Sequence, residues 1–166
     1  IPTVLQQIGV DLTVLPAEKL AGADLSGYGT TVLGIRTYDT QKDVAANNKK
    51  LLDYVSSGGT LIVQYDAGVG EFNSGHFTPF PATLSRSRVS VEEAPVEILA
   101  PEDSVFHYPN QITQRDFDGW VQERGLYFMS QWDSHFRPLL SSHDPGEQPL
   151  PGGVLRAQYG KGTYIY

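Results

Sequence analysis

Two short polar clusters in this chain each follow an apolar run. Asp66 ends the segment Thr60-Leu61-Ile62-Val63-Gln64-Tyr65, and Arg36, Thr37, Tyr38 and Asp39 follow Val32-Leu33-Gly34-Ile35. If both runs are parallel strands, the clusters share the carboxyl edge of one sheet, where open α/β sheets bind ligands. An aspartate at a strand-to-helix turn has nucleophilic chemistry available, with backbone N–H groups of the turn to receive an oxyanion. An arginine fork beside a tyrosine and an aspartate can hold a sugar hydroxyl or a carboxylate. Plainer roles compete with these. Asp66 reads first as a capping or turn aspartate, because Gly68-Val69-Gly70-Glu71 does not look like the start of a sustained amphipathic helix. For Arg36, ligand binding and pairing with a nearby acid stand level, with Thr40 as a helix cap.

A second cluster is aromatic. Trp120, Tyr127, Phe128, Trp132 and Phe136 crowd together with Asp118, Glu123 and Arg124 among them. Aromatic faces beside hydrogen-bonding groups stack on sugar rings, and they equally fill a core or an interdomain surface, which is the preferred reading. The ligand-binding candidates are therefore Arg36, Tyr38, Asp66, Asp118, Trp120, Arg124 and Trp132, with no catalytic residue and no metal ligand assigned. His76, His107, His135 and His143 are far apart and form no i,i+4 pair, which argues against a zinc site. His143-Asp144 near Glu147 offers ligands for a hard cation, but Asp144-Pro145-Gly146 is foremost a turn. With no cysteine at all, disulfides, thiolate metal sites and thiol nucleophiles are excluded together, while the compartment stays open.

The elements that must position these groups follow from apolar spacing. Val4, Leu5, Ile8 and Leu12 predict an opening helix stopped near Gly9, then a short strand from Asp11 to Leu15. A weak helix at Ala17 to Ala21 precedes a strand at Thr31 to Ile35, whose near-continuous apolarity suits burial on both faces. Thr40 with Asp43 forms a loose capping box, and Val44, Asn48, Leu51, Leu52 and Val55 form one helical stripe ending at Gly58-Gly59. Alternating strands and helices predict an α/β domain with a mostly parallel sheet. A βαβ unit also leads us to expect a first strand before Ile1, so that the chain is a piece of a longer protein. Residues 70–88 read as a long loop without a sustained period. Beyond it, short strands are expected at Val96 to Ile98, Gly125 to Phe128 and Arg137 to Leu140. A hairpin is expected around Gly160-Lys161-Gly162, joining Val154–Tyr159 to Thr163–Tyr166.

All 166 residues fit one domain. Twelve basic residues against nineteen acidic ones give a net charge of −7 with no basic run, which argues against a nucleic-acid partner. No apolar stretch approaches the roughly 20 residues needed to span a bilayer, so no membrane insertion is expected.

The layout of residues 32–36, 47–55 and 58–65 resembles the class I glutamine amidotransferase-like superfamily, including its ThuA-like branch. The stretches 116–128 and 143–147 look more particularly like the C-terminal module of bacterial PIG-L (LmbE-like) N-deacetylases. The resemblance implies a three-layer flavodoxin-like fold, with a β-rich insertion and the C-terminal hairpin. It also implies a partner in the same polypeptide, a zinc-dependent deacetylase domain acting on N-acetylglucosaminyl-type substrates. The zinc would belong to that other domain, since the Pro-His-Pro-Asp-Asp motif of such enzymes does not occur here and no cofactor is expected within these residues. Overlaying the amidotransferase turn puts Asp66, or Tyr65 with a one-residue slip, where the family has its cysteine, so glutamine hydrolysis by that route is excluded. The resemblance thus implies a non-catalytic accessory domain with a possible carbohydrate ligand. A cysteine-free hydrolase built on Asp66, Arg36 and His76, and a purely structural or oligomerising domain, are the alternatives. An exported parent would place the module in the periplasm or outside the cell.

Overall fold

The computed structural model describes residues 1–122 and 124–166. Helix α1 (Pro2–Gln7) opens the chain and buries none of its residues. After a 3-10 turn at Ala17–Gly22 come strand β1 (Thr30–Leu33) and three short helices, α2 (Thr37–Thr40), α3 (Lys42–Ala46) and α4 (Asn48–Ser56). Strand β2 (Thr60–Val63) and helix α5 (Val69–Gly75) follow. The remainder is β-rich: β3 (Ala82–Leu84), β4 (Arg88–Val89), β5 (Val96–Ile98), β6 (Gly125–Leu126), β7 (Met129–Trp132), β8 (Phe136–Ser142), β9 (Leu150–Tyr159) and β10 (Gly162–Ile165).

The α/β class holds, and the sheet is mixed. Its six strands run in the order β1-β2-β10-β9-β8-β5. β1, β2 and β10 are mutually parallel, and β9, β8 and β5 continue the sheet by antiparallel pairing. The expected C-terminal hairpin forms, but β10 lies in the middle of the sheet, against β2, and joins the parallel strands to the antiparallel ones. The parallel character anticipated for most of the sheet is thus confined to three strands. Two small antiparallel pairs, β3-β7 and β4-β6, stand apart from it.

One rung runs Leu61, Tyr164, Ala157, Phe136 across β2, β10, β9 and β8, and all four side chains are buried. Val44, Leu51, Tyr54 and Val55 of α3 and α4 join the same core cluster. On the next rung, Val32, Ile62, Ile165, Arg156 and Arg137 point to the other face. There Val32 remains 38% exposed.

Several local expectations give way. Of the stripe Val44, Asn48, Leu51, Leu52 and Val55, all but the half-buried Leu52 are buried, yet it spans two helices. Thr40 donates its hydroxyl to Arg36 O and Asn47 donates its amide to Asp43 O, the back-bonding by which such side chains compete with a continuous helix. Thr40 is therefore the last residue of α2, not a cap for α3. The strand expected at Asp11 to Leu15 does not form; Val10, Val14 and Leu15 are exposed and no neighbouring strand pairs with them. The segment read as a loop over 70–88 contains α5, β3 and the start of β4. Only Phe72 of α5 is buried, so the helix leaves no stripe in the sequence. The side-chain amide of Asn73 ties α5 to β3 by exchanging two hydrogen bonds with the Leu84 backbone, at 2.8 and 3.0 Å.

Gly162 shows how closely β10 approaches α4: a Cβ there would lie 2.1 Å from Val55 O and 2.2 Å from Gly59 O. Both obstacles are backbone, so Gly162→Ala is expected to lower stability by about 1–3 kcal/mol, as overpacking does. Urea denaturation checks this, and an unchanged midpoint would contradict the packing described.

Candidate functional site

The carboxyl edge of the parallel strands brings Arg36, Tyr38, Asp39 and Asp66 together, as their positions after β1 and β2 imply. The link is a pair of crossed caps. Asp66 Oδ1 accepts from the backbone N–H groups of Tyr38 at 2.9 Å and Asp39 at 3.4 Å, at the start of α2. Asp39 answers from the opposite turn: its Oδ2 accepts from Ala67 N and its Oδ1 from Gly68 N, each at 2.8 Å, just ahead of α5. Each carboxylate meets the unpaired N–H groups of the other strand-to-helix turn. Arg36 takes a left-handed conformation (φ 57°, ψ 28°), donates its backbone N–H to Tyr65 O at 2.7 Å, and sets Nε 3.2 Å from Asp39 Oδ2.

The aspartate is sealed. Asp66 is fully buried, and among the described residues its Oδ2 has no hydrogen-bond partner. Burial, reinforced by the negative charge of Asp39, pushes its carboxyl up to about 7 against the pull of the Tyr38 and Asp39 N–H groups and of Arg36. Tyr38 stacks on Phe77 at 4.1 Å and donates its hydroxyl to Asn48. Burial, with the Asp66 charge adding to it, raises the Tyr38 hydroxyl far above its ordinary value. The turn after β2 does lead into a helix, so the elbow of a nucleophile exists, but its carboxylate faces protein and serves backbone. Arg36, half exposed, is held through Asp39.

The aromatic cluster divides. Phe128 and Phe136 are core residues, and Tyr127 supplies a carbonyl to the Tyr166 hydroxyl. Arg124 clamps the backbone, donating Nε to Ala94 O and Nη1 to Phe117 O. Asp118 and Trp120 are exposed, Trp120 by 49%. Glu123 lies outside the described residues. Trp132, half-buried, lines a groove.

That groove, about 670 Å³, runs between α5, β3 and the end of β7, and includes Asn73, His76, Phe80, Gln131, Trp132 and Asp133 in its lining. Pairing of Ala82 with Trp132 across β3-β7 closes its floor. Gly152 makes room for Trp132, since a Cβ there would lie 3.0 Å from the indole and 1.9 Å from Met129 O. The His135 ring lies flat on Phe80, 4.1 Å between centroids and 9° from parallel. Its Nδ1 is 2.5 Å from Asp133 Oδ1, which also accepts from His135 N. Those contacts, the backbone N–H first, hold the Asp133 carboxyl below the usual range. Sequence reasoning names Trp132 as a ligand candidate, and His76 only as a companion of Asp66 and Arg36; the structure sets His76 in this groove instead. The clustered Phe80-Pro81 and Trp132-Asp133-Ser134-His135 were the available signal, but only the β3-β7 pairing unites them.

The groups at His143, Asp144 and Glu147 serve a loop. Asp144 accepts from Ser90 N, Val91 N and Ser90 Oγ, which lowers its pKa, and together with Arg88 and Glu147 it lines a smaller cavity of about 430 Å³. Among the described residues no three His, Asp or Glu side chains gather as a metal site.

The raised carboxyl of Asp66 has a thermodynamic consequence. Below about pH 4 the group is protonated folded and unfolded; between there and about 7 the unfolded chain ionises while the fold retains its proton. Stability therefore falls with rising pH by about 1.4 kcal/mol per unit from this group, levelling above the folded value. Asp66→Asn, which keeps the acceptor for Tyr38, is expected to remove that slope. Urea unfolding of both proteins across this range checks it, and identical slopes would contradict the burial of an ionisable Asp66.

Comparison with known proteins bears on the fold. No family model matches the chain, and no curated protein does. Two solved structures share its course: cytoplasmic protein STM1381 from Salmonella typhimurium LT2 and cytoplasmic protein STM3548 from Salmonella typhimurium. The first matches with a TM-score of 0.58 at 17% identity, the second with 0.54 at 14%. Each match covers 99% of this chain and 72% of the other. At such identities the likeness is one of fold, and it extends over nearly the whole chain.

Proposed function

We propose that this chain is a non-catalytic accessory domain of a PIG-L/LmbE-like N-acetylglucosaminyl deacetylase, and that it binds a carbohydrate in the groove between Phe80 and Trp132. The observation carrying this reading is the contrast between the two sites. Asp66, at the position of the family nucleophile, is buried and occupied with backbone N–H groups. The open groove instead is lined by Trp132 and Phe80 together with Gln131 and Asp133, a mix of aromatic and hydrogen-bonding groups that suits the apolar face and hydroxyl rim of a sugar ring.

The partner in this reading is a zinc-dependent deacetylase domain on the same polypeptide, which would hold the metal. Apolar surface supports such packing: Val4 of α1 and Ile8 just after it are 58% and 70% exposed, and Val32 and Ile35 are exposed around β1. Helices α3 and α4 form one outer layer, and a three-layer flavodoxin-like arrangement would be completed on the opposite face. One observation favours a cysteine-free hydrolase as a second reading, namely the unpartnered, protonatable Oδ2 of Asp66. It would require the crossed caps to open.

Calorimetric titration with oligomers of N-acetylglucosamine and of glucosamine tests the proposal. Saturable binding is expected, weakened at least about tenfold, or about 1.4 kcal/mol, by Trp132→Ala and left unchanged by Asp66→Asn. Absence of binding by every oligomer would overturn the ligand-binding role in favour of a structural domain, and dependence on Asp66 would favour the hydrolase.

A further inference from the structure

Resting on the groove assignment above, we infer that the Phe80–Trp132 groove selects deacetylated, cationic amino sugars over their N-acetylated forms, with Asp133 receiving the ammonium group. The charge of the lining is one-sided. It holds one carboxylate, Asp133, and neither lysine nor arginine, His76 being its other titratable side chain. That carboxylate is fixed in place. His135 contacts Oδ1 through both Nδ1 and its backbone N–H, and the imidazole is itself pinned flat on Phe80. Among the described residues no partner takes Oδ2, and the Asp133 side chain is 34% exposed. An oriented carboxylate with a free oxygen, in a groove that Trp132 also lines, is suited to an ammonium, which gains a charge-assisted hydrogen bond there.

An N-acetyl group finds less. It carries no charge for Asp133, and its carbonyl is left to uncharged donors such as the Gln131 amide, the Asn73 amide being bonded to the Leu84 backbone. Bringing an acetamide carbonyl against the Asp133 carboxylate would oppose two acceptors and leave the carboxylate desolvated without a partner. In the accessory-domain reading, the module would thus hold the product of deacetylation, or a partly deacetylated chain, beside the enzyme.

The test is a pair of calorimetric titrations near neutral pH with a glucosamine trimer and its N-acetylated counterpart, on the wild-type chain and on Asp133→Asn, His135→Ala and Glu93→Gln. The expected result is about tenfold tighter binding of the deacetylated trimer, within the range of one charged hydrogen bond. Asp133→Asn should abolish that preference. His135→Ala, which releases the orientation of Asp133 but keeps its charge, should narrow the preference without abolishing it, and Glu93→Gln, which removes an exposed charge that lines neither groove, should keep it in full. Equal binding of both trimers, tighter binding of the N-acetylated one, or a preference that survives Asp133→Asn would overturn this inference while leaving the groove as a sugar site. Failure of both trimers to bind would overturn the groove assignment itself.

Discussion

The crossed capping of two strand-to-helix turns by Asp39 and Asp66 is the constraint around which the parallel half of the domain is arranged. Helices α2 and α5 are only four and seven residues long, too short to stand without tertiary support. Each begins at backbone N–H groups bonded to the carboxylate of the other turn. The arrangement locks the ends of β1 and β2 together beyond their ladder and carries Tyr38 onto Phe77 and Asn48, so that the α5 region is tied to α4. Two carboxylates so close, one of them buried, disfavour double ionisation, and the proton that Asp66 retains relieves this.

This use of the carboxyl edge commits Asp66 to the fold itself. An open α/β sheet ordinarily offers that edge to ligands. Here the acid after β2 is covered, and accessible polar and aromatic groups gather instead where the β-rich insertion meets α5. The β3-β7 pair sets Trp132 opposite Ala82, Gly152 accommodates the indole, and the stacked Phe80 and His135 hold Asp133 at the rim. The groove is thus built by long-range pairing.

What could be read from the sequence depends on the range of the interactions. The apolar runs of β1 and β2 and the buried stripe of α3 and α4 are local patterns, and they place Arg36, Tyr38 and Asp66 on one edge without any knowledge of the rest. The hairpin of β9 and β10 is likewise marked by its own turn. The insertion of β10 beside β2 is not, because the pairing of Thr60 with Thr163 leaves no local trace. The groove was hidden for the same reason, its walls lying some fifty residues apart in the chain at Phe80 and Trp132. Conversely, the apolar alternation of Val10, Leu12 and Val14 has the form of a strand, but no neighbouring strand pairs with it. Aromatic crowding between 120 and 136 also said little by itself, since adjacent members went to core, groove and solvent.

In the proposed function, ligand recognition lies in the Phe80–Trp132 groove and not at the sheet edge. Mapping backbone and indole amide chemical shifts during titration with a glucosamine trimer tests it most directly. Saturable shifts are expected to be confined to residues 73–83 and 131–135, with the Trp132 indole among the largest and the resonances at 36–39 and 66–70 still. Shifts centred on Arg36, Asp39 and Asp66, with the groove silent, would contradict it.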